Sequence, residues 1–164
     1  MQETPEFLFC LSEDANNDVK FLPTKAEPGS TGFDCRACLP GGESWLIKKG
    51  QYIRIPLGIR VLSPEGYWLE LHGRSSTFIK KHINFLIGII DNSYTGNIML
   101  CGRYEPENDE DLIINHGEPI AQLIPRKIQE MKVSGISLND YEEALNNKVL
   151  TRKRGDSGGF GSTG

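Results

Sequence analysis

No stretch of this 164-residue sequence holds the roughly 18 consecutive apolar residues that a membrane-crossing helix requires. The opening residues Met1-Gln2-Glu3-Thr4-Pro5-Glu6 lack the basic start of a secretory signal. The expectation is a cytoplasmic protein, inside the host cell if the source is a virus, with no membrane partner. A basic excess is also missing: 18 Lys and Arg stand against 22 Asp and Glu, a net charge of −4. Phosphate backbones attract basic surfaces, so a nucleic-acid partner is not expected. Cysteine is scarce. Cys10, Cys35, Cys38 and Cys101 are too few and too unevenly spread for a disulfide-stapled fold. Cys35-Arg36-Ala37-Cys38 has C-x-x-C spacing, but no second ligand pair accompanies it, and His72, His82 and His116 are scattered singly. Small thiols packed in a strand are the better reading.

Residues that break helices are abundant instead, 18 Gly and 9 Pro, which argues against a helical bundle. The length suits one domain, placed at 1–150, followed by an arm at 151–164. Thr31–Cys38, Gln51–Leu57, Gly66–Leu71 and Gly96–Cys101 read as strands, and Phe7-Leu8-Phe9 as an edge strand. Pro28-Gly29, Pro40-Gly41-Gly42, Pro64-Glu65-Gly66 and Asn115-His116-Gly117 punctuate the chain as turns. This pattern predicts an all-β antiparallel sandwich or barrel of the jelly-roll kind. Two short helices are allowed, one turn at Ser75–Lys81 and one from Ser137 to Lys148 with Asn139 as N-cap. The acidic residues Glu105, Glu107, Asp109, Glu110 and Asp111 lack a calcium-loop pattern and read as a solvated hairpin tip.

Five of the 18 glycines fall in the last ten residues. Such a segment loses too much entropy to order alone, but its bare N–H groups and hydroxyls suit a phosphate chain. Arg152-Lys153-Arg154 adds positive charge beside it. Gly159-Phe160-Gly161-Ser162-Thr163-Gly164 matches G-x-G-x-x-G literally, but a dinucleotide fingerprint needs a strand before it and a helix after it, a context not expected here, so the match is read as false.

Two interior segments carry chemistry. Gly88 to Met99 delivers the carboxylate of Asp91 at the end of an apolar strand, turns through Asn92-Ser93, and places Tyr94 before a second strand. Asp91 and Tyr94 would then flank a hairpin mouth. Gly73-Arg74-Ser75-Ser76 offers a guanidinium and two hydroxyls, a set suited to phosphate oxygens.

These segments, with Ser30-Thr31-Gly32-Phe33-Asp34, Gly117 to Ile124 and Arg154 to Gly164, occur in the order of the five motifs of the homotrimeric dUTPase family. From roughly Pro23 onward the chain resembles that family. The resemblance implies a jelly-roll-like subunit, three copies sharing three active sites, and hydrolysis of dUTP to dUMP and pyrophosphate. Such activity keeps uracil out of DNA and supplies dUMP for thymidylate synthesis. It implies that Asp91 holds the attacking water, that Tyr94 packs under the deoxyribose, and that backbone around Gly88, Ile89, Ile90, Gly96, Asn97, Ile98 and Met99 surrounds and reads the uracil. Arg74, Ser75, Ser76, Gln122, Arg154, Gly161, Ser162 and Thr163 would bind the triphosphate. Mg²⁺ would ride on the phosphates, with Asp34 acting through metal-bound water, and Phe160 would stack over the base as the arm closes.

The sequence departs from the family pattern at Ser93, where an acid is common, at Gly73, where Pro is common, and at Phe85, which stands where an Asn often serves the uracil. A one-residue insertion leaves Arg152 and Arg154 as alternatives for the phosphate-binding arginine, and Val133 to Leu150 runs long. Two rivals stand against hydrolysis. A dCTP deaminase needs a glutamate where Cys101 stands, leaving acid–base chemistry without a carrier. A non-catalytic dUTP-binding regulator does not require Asp91, Tyr94 and Phe160 together.

Overall fold

The computed structural model describes residues 4–148. A compact β unit ends at Gln129, and Glu130 begins a second unit. The strands of the β unit are β1 (Leu8–Leu11), β2 (Phe33–Arg36), β3 (Trp45–Ile47), β4 (Tyr52–Pro56), β5 (Ile59–Leu62), β6 (Tyr67–Gly73), β7 (Ile83–Phe85), β8 (Gly88–Ile90), β9 (Met99–Tyr104), β10 (Leu112–Ile114) and β11 (Pro119–Lys127). A short helix α1 (Ser75–Ile79) follows β6, and α2 (Leu138–Asn147) lies in the second unit. The expected all-β, jelly-roll-like class holds. Every pairing is antiparallel, in a four-stranded sheet β2-β11-β6-β8, a three-stranded sheet β4-β9-β7, and the pairs β1-β5 and β3-β10.

Alternation explains the layers. In β4 the residues Ile53 and Ile55 point inward while Tyr52 and Arg54 face solvent, and β5 repeats the pattern with Ile59 and Val61 inside. These side chains meet Leu69 and Leu71 of β6, Leu100 of β9 and Ile120 and Leu123 of β11 in one core. Cys35 belongs to the same core and Cys38 to a small satellite with Ala15 and Phe21. Burial pushes the Cys35 thiol up to about 12 and raises that of Cys38, so both are packing groups rather than thiolates. Cys38 lies just past the strand, not within it.

Several expectations need correction. Gly88–Ile90 and Met99–Tyr104 are not the arms of one hairpin: β8 pairs with β6, whereas β9 pairs with β4 and β7. The acidic residues 105–111 connect β9 to β10 in different sheets, so they are an exposed crossover rather than a hairpin tip. The N-cap of α2 is Ser137, whose Oγ accepts from the Asp140 N–H at 3.1 Å, not Asn139. α1 starts after Arg74 without a side-chain cap.

Candidate active site

The four-stranded sheet assembles one group of site residues through register. Gln122 of β11 lies opposite Asp34 of β2 on one side and His72 of β6 on the other, so three sequence-distant polar residues form a row. Beyond the end of β6, Arg74 Nε stands 3.3 Å from Asp34 Oδ1. Gln122 lies over Gly32 so closely that a Cβ there would come within 2.5 Å of its Oε1. The first, second and fourth motif segments therefore converge on one spot with a half-exposed guanidinium and carboxylate.

The bend that presents Arg74 is fixed from below. The Arg74 N–H donates to the Ile120 carbonyl at 3.2 Å, and the buried Thr77 hydroxyl donates to the same carbonyl at 2.6 Å. Thr77 was not singled out from the sequence. It is the one buried polar side chain among the described residues, and its place between Ser75-Ser76 and Phe78-Ile79 was the available signal. Gly73 allows a second close approach. A Cβ at Gly73 would lie 2.4 Å from Phe85 Cδ1, so the departures at Gly73 and Phe85 are one steric unit. Ser75 is exposed and Ser76 half-buried on the first turn of α1.

Asp91 and Tyr94 are elsewhere. Ile90 pairs with Leu69, so Asp91 falls beside Trp68 at the opposite end of β6. Six residues at about 3.3 Å each separate that position from Arg74, roughly 20 Å along the strand. Asp91 is exposed, and its carbonyl accepts from the Tyr94 N–H at 2.9 Å. The Tyr94 hydroxyl donates to the Asn97 carbonyl at 2.8 Å. The phenol lies against Gly96, where a Cβ would come within 2.6 Å of its oxygen. Ile89, Tyr94 and Met99 present exposed apolar surface around this loop. Ile98 differs from its neighbours. It is buried, its N–H donates to the Ile59 carbonyl and its carbonyl accepts from the Leu57 N–H, each at 3.0 Å, so it anchors the loop and has no backbone donor free for a base. Arg152, Arg154, Phe160, Gly161, Ser162 and Thr163 lie outside the described residues.

Asp34 is the lone carboxylate of the Arg74 group, and among the described residues no three His, Cys, Asp or Glu side chains converge as a metal cage. This donor set fits Mg²⁺ delivered on phosphate oxygens with its own waters. No helix among the described residues is long and apolar enough to cross a membrane.

The model of the dUTPase family matches residues 19–164. The chain is 32% identical over 146 residues to the deoxyuridine 5'-triphosphate nucleotidohydrolase of Neorickettsia sennetsu, covering 87% of both chains. It is 31% identical over 169 residues to that of Bartonella bacilliformis, covering 99% of this chain and 92% of the relative. Among solved structures it resembles a variant of the Staphylococcus bacteriophage 80alpha dUTPase with dUpNHpp, at a TM-score of 0.67 and 21% identity over 98% of this chain and 99% of that one. An Asp-to-Asn variant of the dUTPase from phage phi11 of S. aureus, described with a coordinated structural Mg(II) ion, gives a TM-score of 0.66 at 22% identity over 82% and 97%. The structural likeness carries the fold, and the sequence matches carry the family: this chain belongs to the dUTPases.

Proposed function

We propose that this protein hydrolyses dUTP to dUMP and pyrophosphate, at sites shared between copies of the chain. The observation that carries this reading is the separation of the two residue groups on β6. The Asp34–Arg74–Gln122 group and the Asp91–Tyr94 loop stand roughly 20 Å apart, farther than a triphosphate nucleotide lets one group reach both its water and its phosphates. Neither group is a site alone. Two copies set side by side, with the loop of one against the Arg74 end of the other, complete it, and a closed homotrimer satisfies every such contact.

In that site the Asp91 carboxylate accepts a hydrogen bond from water and aims its oxygen at the α-phosphorus. The new O–P bond forms as the bond to the bridging oxygen breaks, pyrophosphate leaves, and the water proton passes to Asp91 and solvent. Catalysis here is mainly positioning and neutralisation of charge. Arg74 supplies charge-assisted bonds to phosphate oxygens, exchanging its contact with Asp34 for them. Ser75, Ser76 and Gln122 add neutral donors. Mg²⁺ on the triphosphate would supply further charge neutralisation, and Asp34 would be the residue to hold it through water. Tyr94, propped by Gly96, forms a floor for the sugar that a 2′-hydroxyl would disturb. Phe160 and the Gly-Ser-Thr residues of the arm cover the base and phosphates, with Arg154 or Arg152 on the latter, and exclude bulk water.

The test offers dUTP, dCTP, dTTP and UTP separately with Mg²⁺ and identifies the products. dUMP and pyrophosphate from dUTP alone are expected. Ammonia from dCTP, or tight dUTP binding with no turnover, would replace this reading with deamination or with a non-catalytic binder.

A further inference from the structure

The loop from Asp91 to Asn97 is bounded by β8 and by Ile98, which the backbone of Leu57 and Ile59 holds, and residues 91–97 themselves are paired with no strand. Two side chains outside the phosphate, sugar and base contacts hold it instead. At its start, Asn92 Nδ2 donates to the Pro64 carbonyl and to the Tyr67 carbonyl, each at 2.8 Å. Pro64 lies in the turn between β5 and β6 and Tyr67 opens β6, and the Tyr67 N–H closes that turn by donating to the Pro64 carbonyl at 3.1 Å. An asparagine that merely shapes its own turn bonds within a few residues. Asn92 reaches back 28 and 25 positions, spending both amide hydrogens on a rigid neighbour. At the far end Arg60 Nε donates to Asn97 Oδ1 at 3.0 Å, and the Asn97 carbonyl is the acceptor of the Tyr94 hydroxyl.

We propose that Asn92 and Arg60 are positioning residues that set separate properties of the site: Asn92 fixes the direction of the Asp91 carboxylate, and Arg60, acting through Asn97, fixes the Tyr94 floor that selects deoxyribose. The inference rests on the reading of the site as a dUTP hydrolase. Asn92 shares a peptide unit with Asp91, so releasing its amide frees the backbone that aims the carboxylate. A displacement near 1 Å in such a group costs about 100-fold in rate. Arg60 and Asn97 are both exposed, so water replaces their bond at small cost and the effect is weaker.

Asn92→Asp keeps the volume and turns an acceptor toward two carbonyl oxygens, while Asn92→Ala removes the bonds outright. Either variant should lower kcat for dUTP by about 10- to 100-fold, with KM and dUpNHpp binding staying within about threefold of the parent. Arg60→Met should leave kcat for dUTP within about twofold and reduce the preference for dUTP over UTP by about three- to fivefold, with Arg60→Lys between. Amide exchange needs no substrate: Asn92→Ala should speed exchange across residues 92–97 by about tenfold or more and leave β6 and β9 unchanged. Unchanged exchange overturns the brace even if the parent protein turns out not to hydrolyse dUTP. A parent that is inactive on dUTP, with faster exchange in the variant, would sink the functional reading and leave the brace standing. Equal loss of kcat and analogue binding would reduce Asn92 to a structural residue.

Discussion

The two ends of β6 solve the same problem differently. At the Gly73 end, the site residues are wired into the sheet: Asp34, Gln122 and His72 are neighbours by register, and Arg74 is tied by its own N–H to Ile120. At the Trp68 end, Asp91 and Tyr94 sit on a loop whose position depends on side-chain bonds from Asn92, Tyr94 and Arg60. Charge lies at the first end in a preorganised pair, where on the proposed reading the substrate would bring most negative charge. On the same reading the second end would carry the water and sugar contacts, which need direction more than charge. A site built as proposed would place its electrostatics on the rigid part and its selectivity on the adjustable part.

The largest expected effect breaks the two ends separately. Asp91→Asn should bind dUpNHpp normally and lose turnover by about a thousandfold or more, while Arg74→Gln should lose about a hundredfold with weakened binding. Both proteins should form the same oligomer. If the two ends of different copies build each site, mixing the two inactive variants under conditions of subunit exchange should restore activity, with roughly a quarter of sites carrying both intact halves. Rates that stay at the level of the separate variants, with exchange verified, would place both halves of a site on one chain.

The same comparison explains what was legible in the sequence. Turn residues and period-two alternation, as in Tyr52-Ile53-Arg54-Ile55, gave the all-β class because a half-buried strand must alternate. Cap chemistry was legible too, and Ser137-x-x-Asp140 was the better signal than Asn139: the Ser137 hydroxyl also donates to Asp140 Oδ2 at 2.7 Å, a reciprocal pair. Pairing between distant strands was not legible. Gly88-Ile89-Ile90 and Met99 onward look like a hairpin in one dimension, but β8 packs so close to Leu71 that a Cβ at Gly88 would come within 3.0 Å of its Cβ, and the loop then crosses to the other sheet. Asp34, Gln122 and Arg74 could be named by family resemblance, whereas the row they form exists only after β2, β11 and β6 are brought together.

A smaller effect sharpens how rigid the Gly73 end is. Gly73 does not use a left-handed backbone, so alanine is conformationally allowed there and the nearest obstacle is the Phe85 ring. Gly73→Ala should destabilise the protein by about 1–3 kcal/mol in a denaturant titration. In a Phe85→Ala background the same change should cost less than about 0.5 kcal/mol, because the contact it violates is gone. Additive costs would mean that Phe85 does not define the space above Gly73.

The smallest effect concerns a charge cluster on the sheet face between the two ends. Arg126 Nε and Nη2 both donate to Glu70 Oε2, at 2.9 and 2.6 Å, and His72 Nε2 approaches the same oxygen to 3.2 Å. The Arg126 guanidinium, and after it His72, hold the Glu70 carboxyl below its ordinary value of 4.5. As pH falls the unfolded chain therefore takes up this proton first, so the stabilisation is complete above the unfolded-state value and is lost as pH drops through the folded-state value. Glu70→Gln should lower the melting temperature by a degree or two near pH 7, and the gap should close as the pH falls below the carboxyl's ordinary range and through its lower folded-state value. A gap that persists in acid would show that Glu70 contributes through packing rather than charge. A gap that closes would mark the middle of β6 as a stretch where charge serves stability, in contrast to Arg74 at its end, whose pairing with Asp34 would, on the proposed function, have to yield when phosphate arrives.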